Sequence, residues 1–239
     1  MPLRLPAAIG QQLFDHAAAA AQALADDVAT RLIAAIAARG TASLVVPGGT
    51  TPLLFLAALS TRPLDWARVR VCPSDERWVD PAAPESNEGL LRRHLLRDAA
   101  ADAVLVSLKT SAAVPEWAIE ECSARLALLP RPLDVVVLGM GTDGHVASLF
   151  PDAPEIDAAL DLSQAAAVMA MRPPSSALPR MSLSLRSLLD SRQLAILISG
   201  AEKRTVLELA AARPADRRCP VSLLLHQQRV PLSVFHSQG

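Results

Sequence analysis

The chain has 239 residues, 51% of them apolar, and a formal net charge of −1. That size and composition suit one α/β domain over residues 1–239 with a sizeable core. The near-neutral charge argues against nucleic acid as a bulk partner. Apolar runs are broken by Arg, Asp or Pro well short of a bilayer's width, which argues against a membrane span.

In chain order, Asp15 and His16 interrupt the apolar core that a signal peptide needs, so the N-terminus reads as mature cytoplasmic sequence. Leu13, Ala17, Ala20, Leu24, Val28, Leu32 and Ile36 recur every three or four positions, and Gly40 follows them. This spacing predicts a helix over 11–39. Short apolar runs come next, at 43–46, 69–72, 135–138, 167–170 and 194–198, with helical patterns near 52–60, 86–97, 115–129 and 202–212. Buried strands alternating with helices predict a doubly wound, mostly parallel sheet with helices on both faces, Rossmann-like in type. Cys72, Cys122 and Cys219 are odd in number and widely spaced, which suits buried inert thiols better than disulfides or a zinc site.

Ligands of such sheets sit beyond the carboxyl ends of the strands, and four unusual loops lie there. In the first, Pro47 stops a strand and Gly48 and Gly49 allow close backbone approach. Thr50 or Thr51 is expected to cap a helix that opens at Pro52. This is either an anion cradle at a helix start or a plain strand-to-helix turn; the P-loop spacing is absent. The second, Asp75-Glu76-Arg77-Trp78, puts three charges at a strand end, where Arg77 can grip an anion in a fork or join a surface salt-bridge cluster. Ser86 caps the following helix, and Asn87 beside it is within the same candidate site.

The third loop is Gly139-Met140-Gly141-Thr142-Asp143-Gly144-His145. A glycine-lined turn presenting His145 beside Asp143 suits a general base and its orienting partner. The glycine spacing also matches a dinucleotide fingerprint, although no clear acidic partner follows about 20 residues on. In the fourth, Gly200 opens a helix and Lys203, one of only two lysines with Lys109, lies in its first turn. A cation there opposes the helix dipole, so it is either paired with an anionic ligand or solvated.

Taken with Pro179-Arg180-Met181-Ser182-Leu183, these loops resemble, in order along the chain, the 6-phosphogluconolactonases, which share a superfamily with the glucosamine-6-phosphate deaminases. The resemblance implies hydrolysis of 6-phospho-D-glucono-1,5-lactone. Catalysis would fall to His145, Asp143 and Arg77, and substrate or phosphate binding to Gly48, Gly49, Thr50, Thr51, Asp75, Asn87, Arg180 and Lys203. It implies no metal and no cofactor, a phosphorylated sugar lactone as the small-molecule partner, and a monomer or small homo-oligomer. Val146 stands where lactonases often carry Thr, and 230–239 lacks their Trp- and Asp-containing ending. The deaminase branch carries a glutamate five residues after the loop histidine, where this chain has Phe150. The other readings are a non-catalytic sugar-phosphate sensor and a deaminase-like isomerase.

Overall fold

The computed structural model describes residues 2–239. In chain order the elements are β1 (Gly10–Phe14), α1 (Ala17–Arg39), β2 (Ala42–Val46), α2 (Leu53–Ser60), β3 (Val69–Pro73), β4 (Asp75–Arg77), α3 (Asn87–His94), β5 (Val104–Leu105), α4 (Ile119–Leu126), β6 (Val135–Leu138), α5 (Ile156–Leu160), β7 (Val168–Met171), β8 (Arg180–Leu183), α6 (Leu185–Leu189), β9 (Leu194–Ser199), α7 (Ala201–Ala212), α8 (Pro220–His226) and β10 (Leu232–Ser237). Among the described residues no helix is long and apolar enough to cross a membrane.

Seven strands form one sheet in the order β1-β10-β9-β6-β2-β3-β5, and every pairing in it is parallel. Side chains of a strand point alternately to its two faces. Val45, Cys72, Val136, Leu138, Ile196 and Val234 accordingly enter one core layer, with Leu126, Leu188, Leu207 and Leu224 of the covering helices. Leu44, Val46, Val71, Val135, Val137, Leu197 and Phe235 enter the other, with Leu24, Val28, Leu32, Phe55, Leu59 and Leu91. Both faces are covered, which is why these strands read as unbroken apolar runs.

The expected helix over 11–39 begins instead at Ala17. Residues 10–14 are an edge strand registered against Ser233–Ser237 of β10. Leu13, counted in the helical repeat, lies on that strand and is 39% exposed. A long-range pairing therefore overrides a local pattern. The run at 167–170 also departs from expectation: as β7 it belongs to a second, antiparallel sheet, β4-β8-β7. Ser74 joins the two sheets. Its N–H donates to the Val46 carbonyl of β2 at 2.8 Å, and its carbonyl accepts from Leu183 N of β8 at 3.0 Å. The pattern at 115–129 is a 3₁₀ turn over Pro115–Ala118 followed by α4.

β2 and β6 are where the chain changes direction across the sheet. From β2 it proceeds through β3 to β5, then returns to β6 on the other flank. Such a switch point opens a crevice at the carboxyl ends of the strands. Asp134 fixes the opposite ends of the two strands. Its Oδ2 accepts from Ser43 N at 2.9 Å, its N–H donates to Ser43 Oγ at 2.9 Å, and its Oδ1 pairs with Arg39 at the end of α1. The carboxylate is buried. Asp134→Ala leaves the Ser43 N–H without an acceptor and Arg39 without its partner, so we expect a loss of about 2–4 kcal/mol. Urea unfolding should show a lower midpoint for Asp134→Ala and an intermediate one for Asp134→Asn.

Candidate active site

The loops after β2, β3, β6 and β9 meet β8 around a cleft of about 260 Å³ at the switch point. Gly48, Gly49, Thr50, Thr51, Asp75, Arg77, Asn87, His145, Arg180 and Lys203 all line it. Asp143 stands behind His145. A larger hollow of about 610 Å³ is bordered by Leu126, Arg131, Arg186 and Leu189 and contains none of the residues singled out from the sequence.

The first loop lines the cleft, where the expected cradle would lie, but its helix is not capped as expected. Pro52, at φ −81° and ψ −2°, takes the cap position of α2, and no side chain bonds there. The Thr50 and Pro52 carbonyls accept from Leu53 N and Leu56 N. The threonines lie ahead of the cap, and their hydroxyls make no hydrogen bond among the described residues. Gly49 has φ +88°, which favours glycine. At Gly48 a Cβ would overlap the Asn87 amide, so a bare backbone is needed for close approach.

The second loop holds a buried carboxylate. Glu76 accepts from Arg77 N at 2.8 Å, Asn87 N at 2.7 Å, Glu88 N at 2.7 Å and Ser86 Oγ at 3.1 Å. The Ser86 hydroxyl in turn accepts from Gly89 N, so it is the cap of α3 as expected. Burial pushes the Glu76 carboxyl up, against the pull of the donors around it. Asn87 is thereby fixed, with Nδ2 on the Asp75 carbonyl at 2.8 Å and a buried Oδ1 that has no partner. Asp75 is buried too. Its carboxylate accepts from Ser74 Oγ at 2.9 Å and Ser148 Oγ at 2.6 Å, and lies 3.8 Å from Arg180 Nη1.

Arg77 and Arg180 are direct cross-strand neighbours in the β4–β8 pair. Like charges so placed repel. Arg77 Nη1 donates to the Glu85 carbonyl at 2.7 Å, and Arg180 Nη2 to Ser176 Oγ at 2.9 Å. The Nε atoms of both are buried without an acceptor. Burial works against the Arg180 charge, and Asp75 partly restores it. Two arginines with unmet donors in one cleft suit an anion.

In the third loop Gly141 N donates to the His145 carbonyl at 2.9 Å, closing a tight turn. A Cβ on Gly141 would overlap the imidazole. His145 Nδ1 lies 2.6 Å from Asp143 Oδ1. Burial raises the Asp143 carboxyl, but the hydrogen bonds and charge of His145 outweigh it and hold the group below the usual range. An ionised Asp143 accepts from Nδ1–H and leaves Nε2 as the basic nitrogen. The glycines do not open a helix: the next one begins only at Ile156. The dinucleotide fingerprint needs a helix N-terminus at that point; here Gly141 is required by the fit of backbone against the histidine, and Gly144 by its φ of +81° beside Cys219.

The fourth loop turns at Gly200, φ +88°, into α7. Lys203 is half-buried, and burial lowers its pKa, with Glu202 opposing. Among the described residues no group of three potential metal-ligating side chains converges.

Three features were not anticipated from the sequence. Ala147, one of the cleft-lining residues, has φ +50°. Ser148 ties the third loop to Asp75. The ring of Phe150 stacks on His145 with centroids 4.0 Å apart.

This is an α/β protein with a cleft lined by cations and a histidine–aspartate pair. Residues 15–232 match the family model described as glucosamine-6-phosphate isomerases/6-phosphogluconolactonase. A 6-phosphogluconolactonase of Rhizobium meliloti is 44% identical over 93% of this chain and 96% of its own. One of Pseudomonas aeruginosa is 44% identical over 97% of this chain and 96% of its own. The crystal structure of a 6-phosphogluconolactonase from Shewanella baltica superposes with a TM-score of 0.94 at 37% identity, covering 99% of this chain and 100% of that one. The chain belongs to the glucosamine-6-phosphate isomerase/6-phosphogluconolactonase family.

Gly48→Ala tests the cradle. The new methyl must displace the Asn87 amide or the loop, and such overpacking costs about 1–3 kcal/mol. Calorimetric melting should fall accordingly, and inorganic phosphate should protect the variant less than the wild type.

Proposed function

We infer that the protein hydrolyses 6-phospho-D-glucono-1,5-lactone to 6-phospho-D-gluconate. The observation that carries this reading is the His145–Asp143 pair, 2.6 Å apart, in one cleft with three cations, Arg77, Arg180 and Lys203. The relatives named above support the same activity.

A lactone is an activated ester, so water can serve as the nucleophile. His145 Nε2 takes a proton as water attacks C1, and Asp143 holds the imidazolium that forms. Negative charge gathers on the former carbonyl oxygen, and Arg77 stabilises it. When the tetrahedral species collapses, the bond from C1 to the ring oxygen breaks and the imidazolium returns its proton to that oxygen. One water is consumed, and the open-chain acid leaves with its phosphate intact. The Gly48–Thr51 cradle, Arg180 and Lys203 hold that phosphate. Asn87 Oδ1 accepts from a sugar hydroxyl, and Asp75 holds Arg180 and Ser148 in place. At 150 the phenyl ring offers no carboxylate for the isomerase chemistry of the other branch.

His145→Gln keeps the shape of the side chain and removes the base. We expect kcat to fall about 10²- to 10⁴-fold with little change in KM, measured in a coupled assay corrected for spontaneous hydrolysis. A variant within about threefold of wild type removes His145 from the mechanism.

Lys203→Ala should act through binding. A charge-assisted hydrogen bond is worth about 1.5–3 kcal/mol, or roughly a 10- to 150-fold loss in kcat/KM. That loss should appear with the phosphorylated lactone and nearly vanish with unphosphorylated gluconolactone. Equal discrimination by both proteins makes Lys203 a solvated surface residue.

A further inference from the structure

The imidazole of His145 is held at one edge by Asp143. One edge contact fixes which nitrogen carries the proton, but it leaves the ring free to swing about that bond. The second restraint is Phe150. Its ring is 8% exposed and lies against the imidazole with centroids 4.0 Å apart and an interplanar angle of 28°. The two rings are stacked, with centroids closer than the roughly 4.5–7 Å usual for aromatic pairs. Phe150 is itself held: its backbone carbonyl accepts from Ala153 N at 3.2 Å, its ring belongs to the buried core, and the Arg180 guanidinium carbon sits 5.1 Å from its centroid. The last distance falls within the reach of a cation–π contact.

The ring is therefore braced by core packing and by an arginine, and it braces the histidine in turn. The backbone between them is unusual, since Ala147 adopts φ +50°. An L-residue takes that conformation at a cost of roughly 1–2 kcal/mol. The turn at Ala147, with Val146 and Leu149 bridged across it, folds the chain back so that residue 150 returns to residue 145.

We propose that Phe150 is a positioning residue of the hydrolysis, fixing the plane of the His145 imidazole so that Nε2 points at the attacking water. This rests on His145 as the general base. Asp143 sets the tautomer and Phe150 sets the direction. The stack acts on the histidine, so its loss shows chiefly in turnover; the weaker contact with Arg180 is the route from Phe150 to the phosphate and carries a smaller effect on binding.

The test compares Phe150→Leu, which keeps an apolar side chain but lacks a ring face, with Phe150→Tyr, which keeps the face. A stacked pair lost from the reactive geometry corresponds to roughly a 3- to 10-fold fall in kcat. We expect that fall in Phe150→Leu, with KM for the phosphorylated lactone rising by less than kcat falls. Phe150→Tyr should retain most of the turnover. Phe150→Met replaces the leucine variant if the latter does not fold, as judged by thermal melting.

Histidine-labelled NMR gives a readout independent of activity. The His145 ring protons, assigned by their loss in His145→Gln, should be displaced upfield in the wild type by the phenyl ring current, and should return downfield in Phe150→Leu. An unchanged kcat in folded Phe150→Leu, a rise confined to KM, or the absence of a ring-current displacement in the wild type each overturns the proposal. Undiminished turnover in His145→Gln instead overturns the base assignment beneath it, and the proposal falls with it although the NMR contact persists.

Discussion

A single buried carboxylate organises one wall of the cleft. Glu76 has no solvent exposure and collects three backbone N–H groups and a hydroxyl. A charge in such a place is tolerated only when donors surround it, and these come from β4 and from the first turn of α3. Satisfying the charge therefore fixes a strand and a helix start at once, and with them Arg77 and Asn87. The free N–H groups of a helix N-terminus are also where a carboxylate is most favourable. Gly48 then has no room for a side chain, because Asn87 is held where a methyl would go.

The other wall follows from topology. β2 and β6 are neighbours although far apart in sequence, so the loops that leave their carboxyl ends face one another. Ser74 hands the chain from the large sheet to the small one, which places Arg77 and Arg180 side by side at the cleft. Burial disfavours the charges of Arg180 and Lys203 at the cleft. An anion bound between them, as proposed above, would offset the cost of holding these cations near one another.

The parallel layering was legible because both faces of each strand are buried, giving apolar runs such as Val135–Leu138. The residues of the cleft were legible because glycine, histidine, lysine and paired charges are conspicuous just after such runs. What the sequence hid was decided by distant partners. Residues 10–14 form a strand only because β10 lies beside them, and β10 sits in a C-terminal stretch with no turn signal pairing it to the N-terminus. β7 looks like any buried strand, and its place in an antiparallel sheet depends on β8. The threonine caps failed locally, because Pro52 could occupy the cap itself. Glu76 reads as one charge among three in sequence, and only its burial separates it from a surface cluster. The spacing of Gly139, Gly141 and Gly144 was ambiguous until the following segment proved not to be helical.

The placement of β2 beside β6 has a further consequence for how the protein assembles. The groups that meet at the cleft come from loops near residues 48, 75, 145, 180 and 203. No contiguous segment of the chain carries more than a fraction of them. The cleft cannot exist in a fragment or in a partly ordered intermediate, because it forms only when both sheets have closed on each other. A ligand that contacts all of these loops would therefore recognise the finished molecule alone. Its binding free energy bears on the cooperative unfolding of the whole rather than on the fraying of any one loop.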